Sequence, residues 1–482
     1  MASDSIPNPT RRLIICCDGT SQDAFKVVES RSKLRTNIST LARAIKTKTD
    51  GGIEQIVFYQ AGVGTIRTEQ FGGGVFGWGL LRHVREAYGF LAHNYRPGDE
   101  IFFFGFSRGG YTARSICELV CRLGILTELG MDEFPTIIGD FYKKKKRENK
   151  DPKEYEEWKK EVEKGRDQFI EDKYLHKEKV NVVAIGCFDT VGFEEVVGNH
   201  VWGEDYTFHN MALPRGIKHA FHALSLDEKR GPFKPTLWFL YDLEGEAAQP
   251  NLNQVWFAGD HSDIGGGYLR HDLADITLLW MVDQCAEAKI LEFDEDYIKK
   301  VCVCDKPNPF KVPSVGENSG NKRWAYGYRH DSYEFASLRY IRNLWRWAPI
   351  VGRTPRTPME YKALSKVRPG FWPETAEFIH ETVVLRSEEE EMRYKSSGLK
   401  GWGKPVEKNK VTENGENAGR KVVSKEVRRL KEGADGVAKQ EKVVLEMRMM
   451  ELGKLEKELR KWKDYPDIQN IPAEEHGVAV CV

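Results

Sequence analysis

The sequence predicts an α/β fold in which a mostly parallel sheet is flanked by helices. Continuous apolar runs alternate along the chain with segments of helical spacing, the order that parallel strands and their crossover helices require. The apolar runs also stop at turn residues, as strands that are buried on both faces do. A chain of 482 residues with 40% hydrophobic residues is long and apolar enough to build a large core around such a sheet.

The first part of the chain predicts three strands and three helices in alternation. Each strand is a short apolar run that ends in glycine, serine or aspartate, and each helix repeats its apolar residues every three or four positions. The predicted strands are residues 12–17, 55–60 and 101–104, and the predicted helices are residues 37–45, 80–95 and 111–123. Residues 1–10 are polar and are interpreted as a flexible arm.

The second part continues the sheet but interrupts it twice. Strands are predicted at 180–188 and 254–258, followed by a helix at 268–286. Residues 143–179 are dense in lysine and glutamate and predict a charged insertion, and residues 193–252 are long and aromatic and predict a cap-like insertion over the site. Together these segments form one predicted catalytic domain, residues 11–385.

The C-terminal segment, residues 386–482, differs in composition from the rest of the chain. It is charged and poor in core residues, with an amphipathic stretch at 425–463. This composition predicts a tail that is partly helical or disordered and that can recruit a protein partner.

Charge and targeting signals limit the classes of function. The charges of the 73 basic and 73 acidic residues cancel. The chain therefore has no net positive charge that would predict binding to nucleic acid. Nine cysteines without a framework spacing favour a reducing compartment. Neither a signal peptide nor a membrane-spanning run is recognised. The expected location is therefore the cytoplasm, and peripheral contact with a membrane remains open.

The most informative stretch is the Gly-Phe-Ser-Arg-Gly sequence at residues 105–109. It joins an apolar strand directly to a helix, and this context is typical of the nucleophile elbow of α/β-hydrolases. Glycines are needed on both sides of the serine because side chains there would collide with the neighbouring strand and helix. We therefore predict that Ser107 is a nucleophile.

A serine hydroxyl needs a base, and the base needs an acid that fixes its tautomer. Asp189 and His261 each follow a predicted strand, and the carboxyl ends of parallel strands meet at one edge of the sheet. The order Ser107, Asp189, His261 is that of α/β-hydrolases. An alternative pair, Asp263 as the acid and His380 as the base, remains open.

Further positions are predicted around the nucleophile. The backbone amides of Arg108 and Gly19 are the candidate oxyanion donors, since they follow the serine and the first strand. The candidate substrate pocket comprises Asp18, His222 and Trp238, although Asp18 could instead bind a cation and His222 could be structural. We expect the chemistry to require no cofactor and no metal.

Six motifs occur in order between residues 10 and 385. They are Cys-Cys-Asp-Gly-Thr, Gly-Phe-Ser-Arg-Gly-Gly-Tyr-Thr-Ala-Arg, Phe-Asp-Thr-Val-Gly, His-Ala-Leu-Ser-Leu-Asp-Glu, Phe-Lys-Pro-Thr-Leu-Trp and His-Ser-Asp-Ile-Gly-Gly-Gly-Tyr. Together they resemble the α/β-hydrolase domain of type VI secretion phospholipase effectors, a domain that is also widespread in uncharacterised fungal and bacterial proteins. The resemblance implies a lipase that uses Ser107, Asp189 and His261 on acyl esters of phospholipids.

The sequence therefore predicts a serine hydrolase of carboxylic esters, with a small-molecule or lipid ester as substrate. Two alternatives belong to other classes of activity. One is a non-catalytic scaffold that retains the fold, and the other is a thioesterase or peptidase that uses the same three residues.

Overall fold

We examined a computed structural model of the chain. The structure describes residues 11–19, 35–62, 75–145, 160, 164–191, 213–240, 250–268, 270–302, 325, 327–331, 355–359, 375–388, 394–402, 406–411, 417–432, 438–450 and 452–457. The predicted arm at 1–10 lies outside these residues, as do most of 143–163 and residues 193–212 and 241–249 of the predicted cap.

A ten-stranded sheet organises the described residues. Its strands are β1 Arg11–Cys17, β2 Glu54–Gln60, β3 Glu100–Phe106, β4 Asn181–Phe188, β5 His219–Ser225, β6 Asn251–Phe257, β7 Glu377–His380, β8 Val406–Val411, β9 Asn417–Glu432 and β10 Ala438–Met450. Their order across the sheet is β2-β1-β3-β4-β5-β6-β7-β10-β9-β8. The eight strands from β2 to β10 run parallel, and β9 and β8 continue the sheet antiparallel.

Helices cover both faces of this sheet. They are α1 Asn37–Ala44, α2 Val75–Asn94, α3 Arg108–Arg122, α4 Glu128–Asp132, α5 Phe134–Lys145, α6 His261–Gly265, α7 Asp272–Glu287, α8 Glu295–Cys302 and α9 Glu381–Glu388. Alternate residues of β1 enter opposite cores: Leu13 and Ile15 join the core under α2 and α3, whereas Ile14 and Cys16 join the core under α1 and α7. The predicted α/β fold is thus confirmed, with its strands buried on both sides.

The structure corrects the predicted cap. Residues 219–225, which lie inside the range assigned to an insertion, form β5, and β5 pairs in parallel with both β4 and β6. This strand is a central member of the sheet. Its sequence, His-Ala-Phe-His-Ala-Leu-Ser, carries two histidines and two alanines, so it lacks the continuous run of large apolar residues that marks the other strands.

The structure also corrects the predicted helix in the tail. Residues 417–432 and 438–450, which include most of the amphipathic stretch, form a pair of antiparallel strands. Residues 448–450 of β10 pair in parallel with β7, so this part of the tail extends the sheet of the predicted catalytic domain. The protein partner predicted for the tail stays a prediction.

The segment after β10 packs against the core. Leu452 and Leu455 are buried with the residues of α7. The carboxylate of Asp283 accepts hydrogen bonds from the backbone amides of Leu455, at 2.9 Å, and Glu456, at 3.0 Å. Within the parts of the chain that the structure describes, no helix has the length and apolar composition that crossing a membrane requires.

Candidate active site

The turn between β3 and α3 holds Ser107 in a strained conformation. Its backbone angles are φ 56° and ψ −126°, a region that side-chain-bearing residues rarely adopt. The amide of Ser107 donates to the carbonyl oxygen of Phe188 at 3.0 Å, which fixes the turn to the end of β4. The hydroxyl therefore lies at the carboxyl end of the sheet, where the elbow motif predicts it.

The two glycines of the elbow are required by close backbone contacts. A Cβ atom on Gly105 would lie 2.5 Å from the carbonyl oxygen of Gly109. A Cβ atom on Gly109 would lie 2.3 Å from the carbonyl oxygens of Cys17 and Asp18. Both distances are far inside van der Waals contact, so the steric reason predicted from the sequence is confirmed.

His261 is the first residue of α6, which follows β6. The side chain of Asp260 caps this helix by accepting from the amides of Ser262 and Asp263 at 3.0 and 3.1 Å. The imidazole lies between two aromatic rings, with centroid distances of 4.8 Å to Phe106 and 4.9 Å to Phe233. These contacts leave the ring only 1% exposed and set its orientation.

The structure brings Ser107, His261 and Asp189 together in one chain of hydrogen bonds. Nε2 of His261 lies 2.8 Å from Oγ of Ser107, and Nδ1 lies 2.6 Å from Oδ2 of Asp189. The tautomer that donates from Nδ1 to the carboxylate leaves Nε2 free to accept the serine proton. This arrangement can deprotonate the hydroxyl.

Burial and neighbouring charges set the protonation states of the acid and the base. Burial lowers the pKa of His261, against the opposing hydrogen bond and charge of Asp189, so the imidazole is neutral near pH 7. Burial would raise the pKa of Asp189, but the charge of Arg356 and the bond to His261 hold that pKa well below its usual range. A neutral base beside an ionised acid is the pairing that this chemistry needs.

The structure does not bring the alternative acid and base together. The carboxylate of Asp263 pairs with His330, with Oδ1 2.6 Å from Nδ1 of the ring. His380, on β7, lies 2.9 Å from the hydroxyl of Thr382 and 3.0 Å from Oε1 of Glu456. Asp263 and His380 therefore each have other partners in the fold.

The predicted oxyanion donors have different surroundings. Arg108 begins α3, and amides of a first helical turn have no partner within their own helix. Gly19 lies beside the nucleophile, since a Cβ atom on it would be 3.4 Å from Cβ of Ser107. Its amide, however, donates to Oδ1 of Asp18 at 2.7 Å, so this bond must break before Gly19 can bind an oxyanion.

The structure buries all three candidates for the substrate pocket. Oδ2 of Asp18 accepts hydrogen bonds from the hydroxyls of Thr36, at 2.7 Å, and Tyr59, at 2.6 Å. His222 accepts from the amide of Thr190 at 3.1 Å, and the indole of Trp238 packs against it at 5.3 Å. Asp18 is 3% exposed, His222 is fully buried and Trp238 is 1% exposed. These contacts indicate roles in supporting the site.

The cation-binding alternative for Asp18 gains no support from this environment. Among the residues that the structure describes, no group of three or more His, Cys, Asp or Glu side chains is arranged to hold a metal ion. The bonds of Asp18 to Thr36, Tyr59 and Gly19 instead hold its carboxylate at the end of β1.

Sequence reasoning missed Arg356 at this site. The guanidinium contacts both carboxylate oxygens of Asp189, although 167 residues separate the two positions in the chain. Arg356 comes from a segment without clear periodicity, so no local pattern indicated its role. Glu228 was also missed, although it ends the His-Ala-Leu-Ser-Leu-Asp-Glu motif; its Oε2 accepts from the amide of His261 at 3.3 Å.

A parallel sheet with a serine elbow after β3, a carboxylate after β4 and an imidazole after β6 defines an α/β-hydrolase-like protein. Residues 11–284 match the sequence profile of the family described as "T6SS, Phospholipase effector Tle1-like, catalytic domain". The match spans more than half of the chain, so the chain belongs to this family. The phospholipase description of the family points to a hydrolase.

Two individual proteins are similar to this chain. "Uncharacterized protein YEL023C" of Saccharomyces cerevisiae is 27% identical over 239 residues, which cover 46% of this chain and 32% of the yeast protein. The chain thus spans about a third of the length of this relative. The crystal structure of an uncharacterized protein from Pseudomonas aeruginosa matches this chain with a TM-score of 0.36 and 16% sequence identity. The match covers 73% of this chain and 56% of the Pseudomonas aeruginosa chain.

Proposed function

We propose that this protein is a serine hydrolase of carboxylic esters, and that the esters are acyl esters of lipids or phospholipids. The observation that carries the proposal is the unbroken hydrogen-bond chain from Ser107 through His261 to Asp189. Membership of a phospholipase effector family supports a lipid ester as the substrate. The same chemistry would act on thioesters, and the substrate panel below distinguishes them.

In the proposed reaction, Oγ of Ser107 attacks the acyl carbon while Nε2 of His261 takes the hydroxyl proton. Asp189 stabilises the imidazolium that forms and keeps its orientation. The negative oxygen of the tetrahedral intermediate binds to the amide of Arg108, at the positive end of the α3 dipole. His261 then returns the proton to the leaving alcohol, and water releases the acyl group from Ser107 by the reverse sequence.

The proposal predicts covalent labelling of Ser107 by a fluorophosphonate. The wild-type protein should react because its serine has a base within 2.8 Å, whereas Ser107→Ala should not react. Intact-protein mass spectrometry measures the adduct, and circular dichroism checks that the variant is folded. A folded wild-type protein that does not react would overturn the proposal and support the scaffold alternative.

A matched pair of histidine variants tests the base. His261→Gln should reduce kcat on p-nitrophenyl esters by at least about 1000-fold, since loss of one triad member removes most of the catalysis. His380→Gln, which changes a buried histidine of β7, should retain turnover. The opposite result would assign the base to His380. Comparing the turnover of p-nitrophenyl esters, phospholipids and thioesters by the wild-type protein identifies the preferred class of ester.

A further inference from the structure

Arg356 is a buried cation attached to the acid of the candidate triad. It lies in the described segment 355–359 and is 4% exposed. Its Nη1 donates to Oδ1 of Asp189, and its Nη2 donates to Oδ2 of the same carboxylate at 2.9 Å. This two-point contact uses the planar geometry that distinguishes arginine from lysine.

The same guanidinium also binds the backbone on either side of the site. Nη1 donates to the carbonyl oxygen of Ser225 at 2.8 Å, and Nη2 donates to the carbonyl oxygen of Phe233 at 2.5 Å. Phe233 packs on the ring of His261. Arg356 therefore connects the end of β5, the acid and the aromatic residue that orients the base.

Among the described residues, four hydrogen bonds reach the Asp189 carboxylate, and each comes from a fixed group. Oδ1 accepts from Arg356 and from the amide of Ser225, the latter at 2.9 Å. Oδ2 accepts from Arg356 and from Nδ1 of His261. Because each oxygen has two partners, the carboxylate cannot rotate without losing charge-assisted bonds.

We propose that Arg356 is a positioning residue, which fixes the orientation of Asp189 and moderates the negative charge that Asp189 presents to His261. The inference rests on the proposed function, since it concerns the same three residues. A carboxylate shared with a buried cation attracts the imidazolium less strongly than an unshared one. Arg356 thus adds to the effect of burial in keeping the base neutral at physiological pH.

Among the described residues, other charged groups also face Asp189 and His261. Glu228 and Arg230, which follow β5, face His261 and form their own ion pair at 2.9 Å. Asp189 is faced by Arg356 and His261, and its charge also acts on the buried ring of His222. Of these groups, Arg356 is the cation that pairs directly with the acid.

A purely structural role gives a different expectation. If Arg356 only joined the carbonyls of Ser225 and Phe233, its loss would destabilise the fold and leave the titration of His261 unchanged. The two roles therefore separate in the pH dependence of the pair, which stability measurements alone would miss.

The test compares Arg356→Met with a matched control, Arg386→Met. Arg386 is a similarly buried arginine, 3% exposed, that donates to the carbonyls of Ala325 and Gly327 at 2.6 and 2.9 Å. The titration of His261 is followed by NMR in full-length protein with selectively labelled histidine, and the signal is assigned with His261→Gln. Turnover of a p-nitrophenyl ester is measured over the same pH range.

In Arg356→Met the Asp189–His261 pair should take up its proton about one pH unit higher than in the wild type, whichever residue holds it. The acid limb of kcat/KM should move by the same amount. Arg356→Lys, which restores the charge, should return the titration close to the wild-type position with a lower kcat, because the two-point contact is lost. Arg386→Met should shift neither measurement.

An unchanged titration in Arg356→Met, with only a lower unfolding temperature, would overturn the inference. If that variant does not fold, Arg356→Gln removes the charge while keeping an amide donor, and the same criterion applies. The NMR titration needs no turnover. A shifted titration in a protein that hydrolyses no ester would thus reject the proposed function and retain the coupling.

Discussion

At the scale of single residues, the site depends on two residues with positive φ angles and on a glycine that has no room for a side chain. Ser107 and Asp189 both have positive φ angles, 56° and 40°, and they directly follow the neighbouring strands β3 and β4. The end of β1 contacts the same turn, because the carbonyl oxygens of Cys17 and Asp18 face Gly109. A small change of one residue in this turn therefore moves the nucleophile.

The crowding around Gly109 predicts a large effect of Gly109→Ala. The added methyl group would meet the carbonyl oxygens of Cys17 and Asp18 at 2.3 Å, and overpacking of this kind costs about 1–3 kcal/mol. We expect a lower free energy of unfolding in urea denaturation and a loss of fluorophosphonate labelling, since Ser107 would be displaced.

Gly139→Ala is the control for this prediction. Gly139 lies within α5 and a Cβ atom on it has no neighbour within 4 Å, so alanine should be neutral or stabilising by about 0.5–1 kcal/mol. Wild-type stability and labelling in Gly109→Ala would contradict the steric explanation of the elbow.

At the scale of elements, local sequence predicts the strands whose own residues form a continuous apolar run. β1, β3 and β4 are continuous apolar runs that end in turns, and this is why the sequence also locates Ser107 and Asp189. β5 and β10 depend instead on their neighbours in the sheet. Charged residues at helical spacing in β10 resemble an amphipathic helix, and only the pairing with β9 and β7 makes the segment a strand.

The same limit explains which site residues could be predicted. Ser107, Asp189 and His261 each follow a recognisable strand, so the topology alone predicts that they meet. Arg356 has no such local context, and its partner Asp189 is fixed by tertiary structure. Gly19 was placed correctly beside the nucleophile, but the bond between its amide and Asp18 depends on a side-chain conformation that the sequence does not specify.

The segment after β10 provides a prediction about an element. Leu455 is 3% exposed and packs with the core around α7, although composition assigns it to a charged tail. Leu455→Ala should lower the free energy of unfolding by about 2–5 kcal/mol, as large-to-small changes in a core do. Lys454→Ala, at a side chain that is 71% exposed, should stay within about 0.5 kcal/mol of the wild type. Equal effects of the two substitutions would show that the segment does not belong to the core.

At the scale of the whole molecule, buried ionisable groups make stability depend on pH in two opposite directions. Burial, and then the charge of Arg114, lowers the pKa of His222 to about 3. His222 therefore stays neutral in the folded state, whereas in the unfolded state it binds a proton below pH ~6.5. Burial raises the pKa of Asp283 to about 7 and, together with Asp263, that of Asp260 to about 7. These two groups favour the folded state at low pH and lose that contribution as pH rises from ~4 towards 7.

His222→Gln isolates the histidine contribution. In the wild type this contribution falls by about one kcal/mol per pH unit as pH decreases from ~6.5 towards 3. The variant should be less stable than the wild type at neutral pH, and its stability should decline less steeply with acid. Urea denaturation at a series of pH values measures both slopes. His93→Gln, at a side chain that is 57% exposed, is the control, and an equal slope in wild type and His222→Gln would reject the assignment.

The positive φ of Ser107 has a consequence for how this protein can change over evolutionary time. Glycine adopts such angles without steric cost, so Ser107→Gly should relieve the turn and stabilise the fold. Under the proposed function, the same substitution would abolish activity. The stability of the turn and the proposed reactivity therefore favour different residues at position 107.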